Sequence, residues 1–137
     1  MAILQYLDDT RPEPKLIPSP PLAKARMFEI CETIVSGIQP LQNIALKNHF
    51  DTEEQFHKFT RHWCDRGLKT LEDLLTKSSG RYCLGDQLTL ADICLVPQLF
   101  NATTRLQLTL DKYPTLSKLY ECLLNESVFK QTHPKNI

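Results

Sequence analysis

The segment Gly85–Asp92, which reads Gly-Asp-Gln-Leu-Thr-Leu-Ala-Asp, constrains the fold of this chain more than any other stretch. Thr89 and Asp92 have the spacing of a capping box, in which each side chain bonds the other's backbone N–H at the start of a helix. The residues that follow, Ala91–Phe100, are apolar on nearly every side. We therefore predict a structural N-cap at Thr89 and Asp92 and a helix buried at the centre of a bundle.

Apolar residues recur at three- and four-residue steps through most of the remaining chain. The pattern predicts helices over roughly 23–48, 52–77 and 115–124, and the last turns of a further helix over 2–8. Pro40 lies inside the first long pattern, where a proline costs about 3 kcal/mol unless the helix kinks or breaks. Gly67 either permits a close helix approach or is a tolerated weak spot, and Gly80 is expected to supply a left-handed cap. The predicted fold is an all-α bundle of about five helices.

Prolines divide the chain, since five of the nine fall between residues 10 and 22. Proline lacks a backbone N–H and disfavours helix at the preceding residue, so this stretch is predicted to be an extended linker. The predicted segments are therefore 1–9, a Pro-rich linker over 10–22, and a helical domain over 23–137. A linker this close to the first residue suggests the downstream part of a longer protein.

Composition excludes several functional classes. Of the 137 residues, 42% are hydrophobic and the net charge is zero, which argues against a disordered chain and against a nucleic-acid partner. Apolar runs are too short to cross a bilayer, and the N-terminus has no signal-peptide pattern. The five cysteines are an odd number without a CxxC pair, which favours free thiols and a cytoplasmic location.

Several separate stretches resemble one family. Besides Gly85–Asp92, these are Gly37–Asn43 (Gly-Ile-Gln-Pro-Leu-Gln-Asn), Ala91–Gln98 (Ala-Asp-Ile-Cys-Leu-Val-Pro-Gln) and Lys112–Thr115 (Lys-Tyr-Pro-Thr). Together they resemble the C-terminal helical domain of the zeta-class glutathione transferases, the maleylacetoacetate isomerases. By this resemblance, residues 1–9 are a remnant of the last helix of a thioredoxin-like domain.

The resemblance implies a cytoplasmic homodimer that uses glutathione as cofactor and a small dicarboxylate as substrate. The implied reaction is cis–trans isomerisation of maleylacetoacetate to fumarylacetoacetate in phenylalanine and tyrosine catabolism. In that family the N-terminal thioredoxin-like domain activates the glutathione thiol. The chain is therefore expected to be catalytically incomplete alone, and no catalytic residue is assigned within it. The alternative is a non-catalytic helical module that binds another protein through an exposed apolar patch.

The candidate site residues follow from spacing and from the resemblance. Gln39 and Asn43 are four residues apart, which on a helix is one face. By resemblance this run contacts glutathione, with the backbone of Ile44 and Ala45 close behind; the alternative is an ordinary polar surface.

Arg105 is the candidate partner for a substrate carboxylate, because a guanidinium can bind one in a bidentate manner. The run Asn101–Arg105 has one residue more than the family pattern, which on a helix rotates the side chain by about 100°. The alternative for Arg105 is a solvated surface side chain.

Other reactive side chains have structural interpretations. Cys31, Cys94 and Cys122 fall on apolar stripes and are expected to be core thiols. His57, His62 and Cys64 do not share one helix face, so no metal site is predicted from them.

Overall fold

The computed structural model describes residues 1–11 and 13–136. Six α-helices follow one another along the chain: α1 Ala2–Thr10, α2 Pro21–Glu32, α3 Glu53–Ser78, α4 Leu90–Thr104, α5 Pro114–Leu124 and α6 Ser127–Gln131. A π-helical turn over Thr33–Ile38 and 3-10 turns over Gln39–Gln42, Ile44–His49 and Pro134–Asn136 complete the helical structure. Within the described ranges, bridging between extended residues is confined to two isolated pairs, so the all-α prediction is confirmed.

Helix α4 is the centre of the bundle, as its apolar sequence predicts. Nine of its residues are buried, and its neighbours α2 and α5 pack against it. The buried core joins α4 to apolar side chains of the other helices, among them Ile34, Leu68 and Leu116. A helix that is apolar on nearly every side is stable where other elements cover it, and most of α4 is covered, with Pro97 as the exposed residue in its middle.

The linker before α2 is fastened to the bundle. Asp8 of α1 accepts a hydrogen bond from the backbone N–H of Leu16 at 2.6 Å. The carbonyl of Leu16 in turn accepts the N–H of Leu90, the first residue of α4, at 3.2 Å. Pro18 is buried. The linker therefore connects α1 to the start of the central helix.

The predicted helix over 23–48 is wrong as a single element. Helix α2 ends at Glu32, passes into the π-helical turn, and continues as the 3-10 turn that contains Pro40. The chain is extended at Asn43, with φ −63° and ψ 128°. Pro40 cannot donate to the carbonyl one turn earlier, so the regular hydrogen-bond ladder cannot pass through this point.

Helix α3 begins with a second capping box, which the sequence analysis missed. The hydroxyl of Thr52 accepts the N–H of Gln55 at 3.2 Å, and the Gln55 side chain accepts the N–H of Thr52 at 3.3 Å. Gly67 lies where α3 meets the turn after α2, and a Cβ added there would overlap the side chain of Ile38. Of its two interpretations, the close helix approach is therefore confirmed.

The predicted left-handed cap at Gly80 is wrong. Helix α3 ends at Ser78, its capping residue Ser79 is extended, and the glycine with positive φ is Gly85, at 60°. Gly80 serves a close approach instead, because a Cβ there would lie 2.9 Å from the carbonyl oxygen of Gly85. Hydrogen bonds from the N–H of Gly85 to the carbonyl of Ser78 and from the N–H of Tyr82 to the carbonyl of Gly85 close the loop after α3, so no cap by Gly80 is needed.

Candidate functional site

A polar cavity of about 470 Å³ lies between the 3-10 turn Gln39–Gln42 and the C-terminal half of α4. Its polar lining consists of five amide side chains and one guanidinium, from Gln39, Gln42, Asn43, Gln98, Asn101 and Arg105. Ile44 and Pro97 contribute the apolar part of the lining. Amides and a guanidinium on a concave surface are suited to a ligand that carries carboxylates and peptide groups.

Four of the five residues predicted to contact ligand line this cavity, namely Gln39, Asn43, Ile44 and Arg105. Ala45 does not belong to the lining. Its backbone N–H donates to Oδ1 of Asn43 at 3.0 Å, so it fixes the orientation of the Asn43 amide.

Gln39 and Asn43 do not share a helix face, and that part of the expectation is wrong. Gln39 opens a 3-10 turn, whereas Asn43 is extended and caps the next 3-10 turn. Both side chains reach the cavity because the chain bends between them after Pro40. The four-residue spacing therefore selected two residues that line one cavity, but not through the shared helix face that was expected.

Arg105 follows the last residue of α4, at the cavity's edge. The carbonyl of Asn101 accepts the N–H groups of both Arg105 at 3.0 Å and Leu106 at 3.1 Å, which makes the final turn of α4 wide. Arg105 also donates from Nη2 to the backbone carbonyl of Gln42 at 3.3 Å. The guanidinium is thus directed across the cavity toward the 3-10 turn.

Gln42 is one of the polar lining residues that the sequence analysis did not single out, together with Gln98 and Asn101. Its Oε1 accepts a hydrogen bond from Nδ2 of Asn101, and the residue is only 4% exposed. Gln42 therefore joins the 3-10 turn to α4 through two residues, Asn101 and Arg105. In the sequence, only the position of Gln42 between Gln39 and Asn43 indicated that it could belong to the site. The residue type alone does not show whether a glutamine is buried or exposed.

Gln98 forms the inner wall of the cavity, where it is 2% exposed. Its Nε2 lies 3.6 Å from Sγ of Cys64 on α3. Burial, together with the nearby Asp65, raises the pKa of the Cys64 thiol to about 12. The thiol stays protonated at neutral pH, so Cys64 is a packing partner of Gln98 and not a nucleophile.

The chemistry available in the cavity is binding and orientation. Arg105 supplies positive charge and the amides supply donors and acceptors. In the described part of the lining, no side chain is of a type that exchanges a proton near neutral pH. The cavity can therefore hold and align an anionic ligand, and proton transfer would require groups from outside it.

Thr89 and Asp92 lie at the other end of α4 and have a structural role. Asp92 is fully buried, and its Oδ2 accepts the backbone N–H of Thr89 at 2.8 Å. Its Oδ1 accepts the backbone N–H of Cys83, also at 2.8 Å. The carboxylate therefore begins α4 and holds the preceding loop against it.

Four of the five cysteines are buried. Cys31 and Cys94 are buried as expected, and so are Cys64 and Cys83. Cys122, also predicted to be a core thiol, is only half-buried, because it lies at the edge of the apolar stripe of α5.

Residues 1–11 and 13–136 contain neither a group of side chains suited to hold a metal ion nor a helix long and apolar enough to cross a membrane. A second cavity, of about 360 Å³, lies between α4, α5 and α6 and is mostly apolar, with Phe100, Tyr120 and His133 in its lining.

Comparison with known proteins is consistent with this geometry. Residues 39–131 match the family model of the glutathione S-transferase C-terminal domain. The chain is 46% identical over 134 residues to a probable maleylacetoacetate isomerase 1 of Drosophila melanogaster, covering 98% of this chain and 54% of that protein. It is 40% identical over 135 residues to maleylacetoacetate isomerase of Mus musculus, covering 98% of this chain and 62% of that protein.

A solved structure has the same fold. The maleylacetoacetate isomerase of Anaeromyxobacter dehalogenans 2CP-1, crystallised with dicarboxyethyl glutathione and citrate in the active site, superposes with a TM-score of 0.94 at 36% identity. The match covers 99% of this chain and 62% of that one. The chain thus spans between about half and two thirds of the length of these relatives.

Proposed function

Because the chain belongs to the glutathione S-transferase C-terminal domain family, we propose that its polar cavity binds glutathione and a dicarboxylate substrate. The reaction we propose is that of the zeta class, the cis–trans isomerisation of maleylacetoacetate to fumarylacetoacetate in phenylalanine and tyrosine catabolism. The relatives named maleylacetoacetate isomerase support this choice within the family.

One observation carries the proposal: Gln39, Asn43 and Arg105 line a single cavity, although the helix expected over 23–48 ends at Glu32 and gives way to π-helical and 3-10 turns. In our proposal, the amides of Gln39 and Asn43 bond the peptide groups of glutathione. Ile44, which is 64% exposed, offers an apolar contact beside them. Ala45 acts indirectly, by fixing the Asn43 amide.

Arg105 is proposed to bind a carboxylate of the substrate. A guanidinium has five N–H donors in a fixed plane, and the bond to the Gln42 carbonyl uses one of them. The remaining donors are sufficient for a bidentate pair with a carboxylate. The bond to Gln42 limits the side-chain freedom of Arg105, which lowers the entropy lost when the ligand binds.

The chain's own contribution to the reaction is binding and alignment. When bound, glutathione supplies a thiolate that can add reversibly to the cis double bond and so permit rotation. The cavity of this chain orients the tripeptide and neutralises substrate charge. Because its lining contains amides, a guanidinium and apolar side chains, we assign activation of the thiol to groups outside this cavity, those of the thioredoxin-like domain that the family resemblance implies.

Two further features belong to the proposal. We propose a homodimer, as the family resemblance implies. We also propose a cytoplasmic location, because the five cysteines are present as free thiols and four of them are buried, an arrangement suited to a reducing compartment.

The test is an NMR titration of the chain with reduced glutathione. We expect backbone shifts concentrated at Gln39, Asn43 and Ile44, and weaker binding in Gln39→Ala and Asn43→Ser. Serine keeps an oxygen that can cap the 3-10 turn but removes the amide, so the second variant separates capping from ligand contact. Asn48→Ala, an exposed residue of the next turn, is the matched control. Shifts confined to the apolar cavity around Phe100 would contradict the proposal.

A second candidate, a protein-interaction module, is supported by the surface of α1. Ile3, Tyr6 and Leu7 are 75%, 65% and 38% exposed, and their spacing places them along one stripe. An apolar stripe of this kind is typical of a surface that binds another protein. Self-association that is lost in Tyr6→Ser, together with no response to glutathione, would favour this function over the first.

A further inference from the structure

Gln42 has a polar atom that the structure leaves without a partner. The residue lines the polar cavity, yet it is 4% exposed. Its Oε1 is bonded to Asn101, whereas its Nε2 is buried and has no hydrogen-bond partner. A buried donor without an acceptor is unfavourable, because it has given up its bonds to water and gained none in return.

The surroundings of this amide indicate the kind of group that would satisfy it. Nε2 needs an acceptor, and the nearby side-chain amide of Asn101 presents its donor nitrogen to Gln42. The other neighbour, Arg105, has donors only and is already bonded to the carbonyl of Gln42. Gln42 therefore presents a buried N–H group without an acceptor. The exposed Arg105 beside it has N–H donors beyond the one bonded to the Gln42 carbonyl. A carboxylate offers two acceptor oxygens and a charge opposite to that of Arg105.

We propose that Gln42 is a binding and positioning residue for a ligand carboxylate. Its Nε2 donates to one oxygen of that carboxylate, and the guanidinium of Arg105 binds the other. Its Oε1 and its backbone carbonyl at the same time hold Asn101 and Arg105 in place on α4. The inference rests on the proposed function of the cavity and adds the residue that determines where a dicarboxylate is held.

The experiment compares malonate and reduced glutathione as probes in NMR titrations of the chain. Gln42→Met keeps the length of the side chain and removes both polar atoms. Gln42→Glu keeps an oxygen for Asn101 and replaces the donor nitrogen with an acceptor. Gln131→Met and Gln131→Glu make the same changes at an exposed residue of α6, outside the cavity lining, and serve as matched controls.

In the unsubstituted chain, malonate is expected to shift the side-chain resonances of Gln42 and Arg105. Both Gln42 variants should bind malonate at least about tenfold more weakly, the effect of losing one charge-assisted hydrogen bond. Glutathione affinity should stay within about twofold, and both Gln131 variants should match the unsubstituted chain. Circular dichroism identifies a variant that fails to fold. In that case the malonate affinity of the other Gln42 variant tests the proposal.

The outcomes separate the two proposals. If glutathione binds at Gln39 and Asn43 but malonate affinity is the same with and without the Gln42 amide, the role of Gln42 is overturned and the proposed function stands. If the unsubstituted chain responds to neither probe, the proposed function is overturned, and the carboxylate role of Gln42 with it.

Discussion

The carboxylate of Asp92 on α4 and the backbone N–H of Cys83 are joined by a 2.8 Å hydrogen bond between two fully buried residues. The same carboxylate accepts the backbone N–H and the hydroxyl of Thr89. One side chain thus satisfies donors on both the loop and the first turn of α4. Breaking this connection affects the central helix and the loop together.

We therefore expect Asp92→Ala to lower the free energy of unfolding by about 3 kcal/mol, since it leaves two buried backbone donors unpaired. Asp92→Asn retains one acceptor oxygen and should lose less. Asp86→Ala removes an exposed carboxylate from the same loop and is the control. Chemical denaturation measures all three variants. Equal stability of Asp92→Ala and Asp86→Ala would contradict the structural role.

Gly67→Ala is expected to destabilise the protein by about 1–3 kcal/mol, because the added methyl group overlaps Ile38. Helix propensity alone predicts the opposite sign, a gain of up to about 1 kcal/mol. Gly37→Ala is the matched control, since a Cβ there would meet only the Glu32 carbonyl oxygen at 4.0 Å. If Gly67→Ala and Gly37→Ala changed the melting temperature by the same amount, the close approach of Gly67 to Ile38 would not contribute to stability.

Asp65 should make stability depend on acid pH. Burial by itself would raise the pKa of Asp65, but hydrogen bonds from Lys112 and Tyr113 outweigh it and hold that pKa below its ordinary value. A lowered folded-state pKa contributes stability above the unfolded-state pKa of about 3.9, and this contribution is lost as the pH falls through the folded value.

Denaturation at pH 7 and pH 3 tests this expectation in Asp65→Asn. The variant should be less stable than the unsubstituted chain at pH 7, and the difference should shrink at pH 3. Asp111→Asn, at an exposed site near Lys112 in sequence, is the comparison. If the stability difference between Asp65→Asn and the unsubstituted chain grew toward low pH, the pKa of Asp65 would be raised in the folded state and not lowered.

The cysteines should differ sharply in their reaction with a thiol reagent. Burial raises the pKa of Cys64 and of Cys83, and Cys31 and Cys94 are also buried. Cys122 is half-buried. We expect one thiol of the five to react rapidly in the native chain and all five after unfolding, as measured with a chromogenic disulfide. In Cys122→Ser the rapid phase should disappear, and its persistence would point to opening of the core.

The purified chain is expected to show no maleylacetoacetate isomerase turnover above the rate with glutathione alone. The physical reason is that its cavity offers charge and amide groups but no side chain suited to remove the thiol proton. The assay follows loss of the cis substrate at saturating glutathione, with a complete zeta-class enzyme as positive control. Turnover by this chain would place thiol activation among its own residues.

The positions of the helices could be predicted where a local signal was strong. The Thr89–Asp92 spacing and the apolar run after it located α4, and Pro114 located the start of α5. Helix α6 could not be found in the same way, because Ser127–Gln131 is too short to display a period.

The cavity was predictable only in part. Gln39, Asn43 and Arg105 were identified by type and by motif, but the bend that brings them together depends on how the chain leaves α2 through π and 3-10 turns. Gln42 could not be identified as buried, because its burial arises from contacts with α4, some sixty residues later in the chain. Distant packing of this kind leaves no local pattern in the sequence.

The absence of a side chain at Gly67 has a consequence for the shape of the polar cavity. Ile38, which fills that space, immediately precedes Gln39 and therefore sets how deeply the cavity-forming turn is seated against the bundle. A substitution at position 67 would displace that turn outward and change the distance from Gln42 to Arg105. The shape of the polar cavity therefore depends in part on α3, at a residue that does not line that cavity.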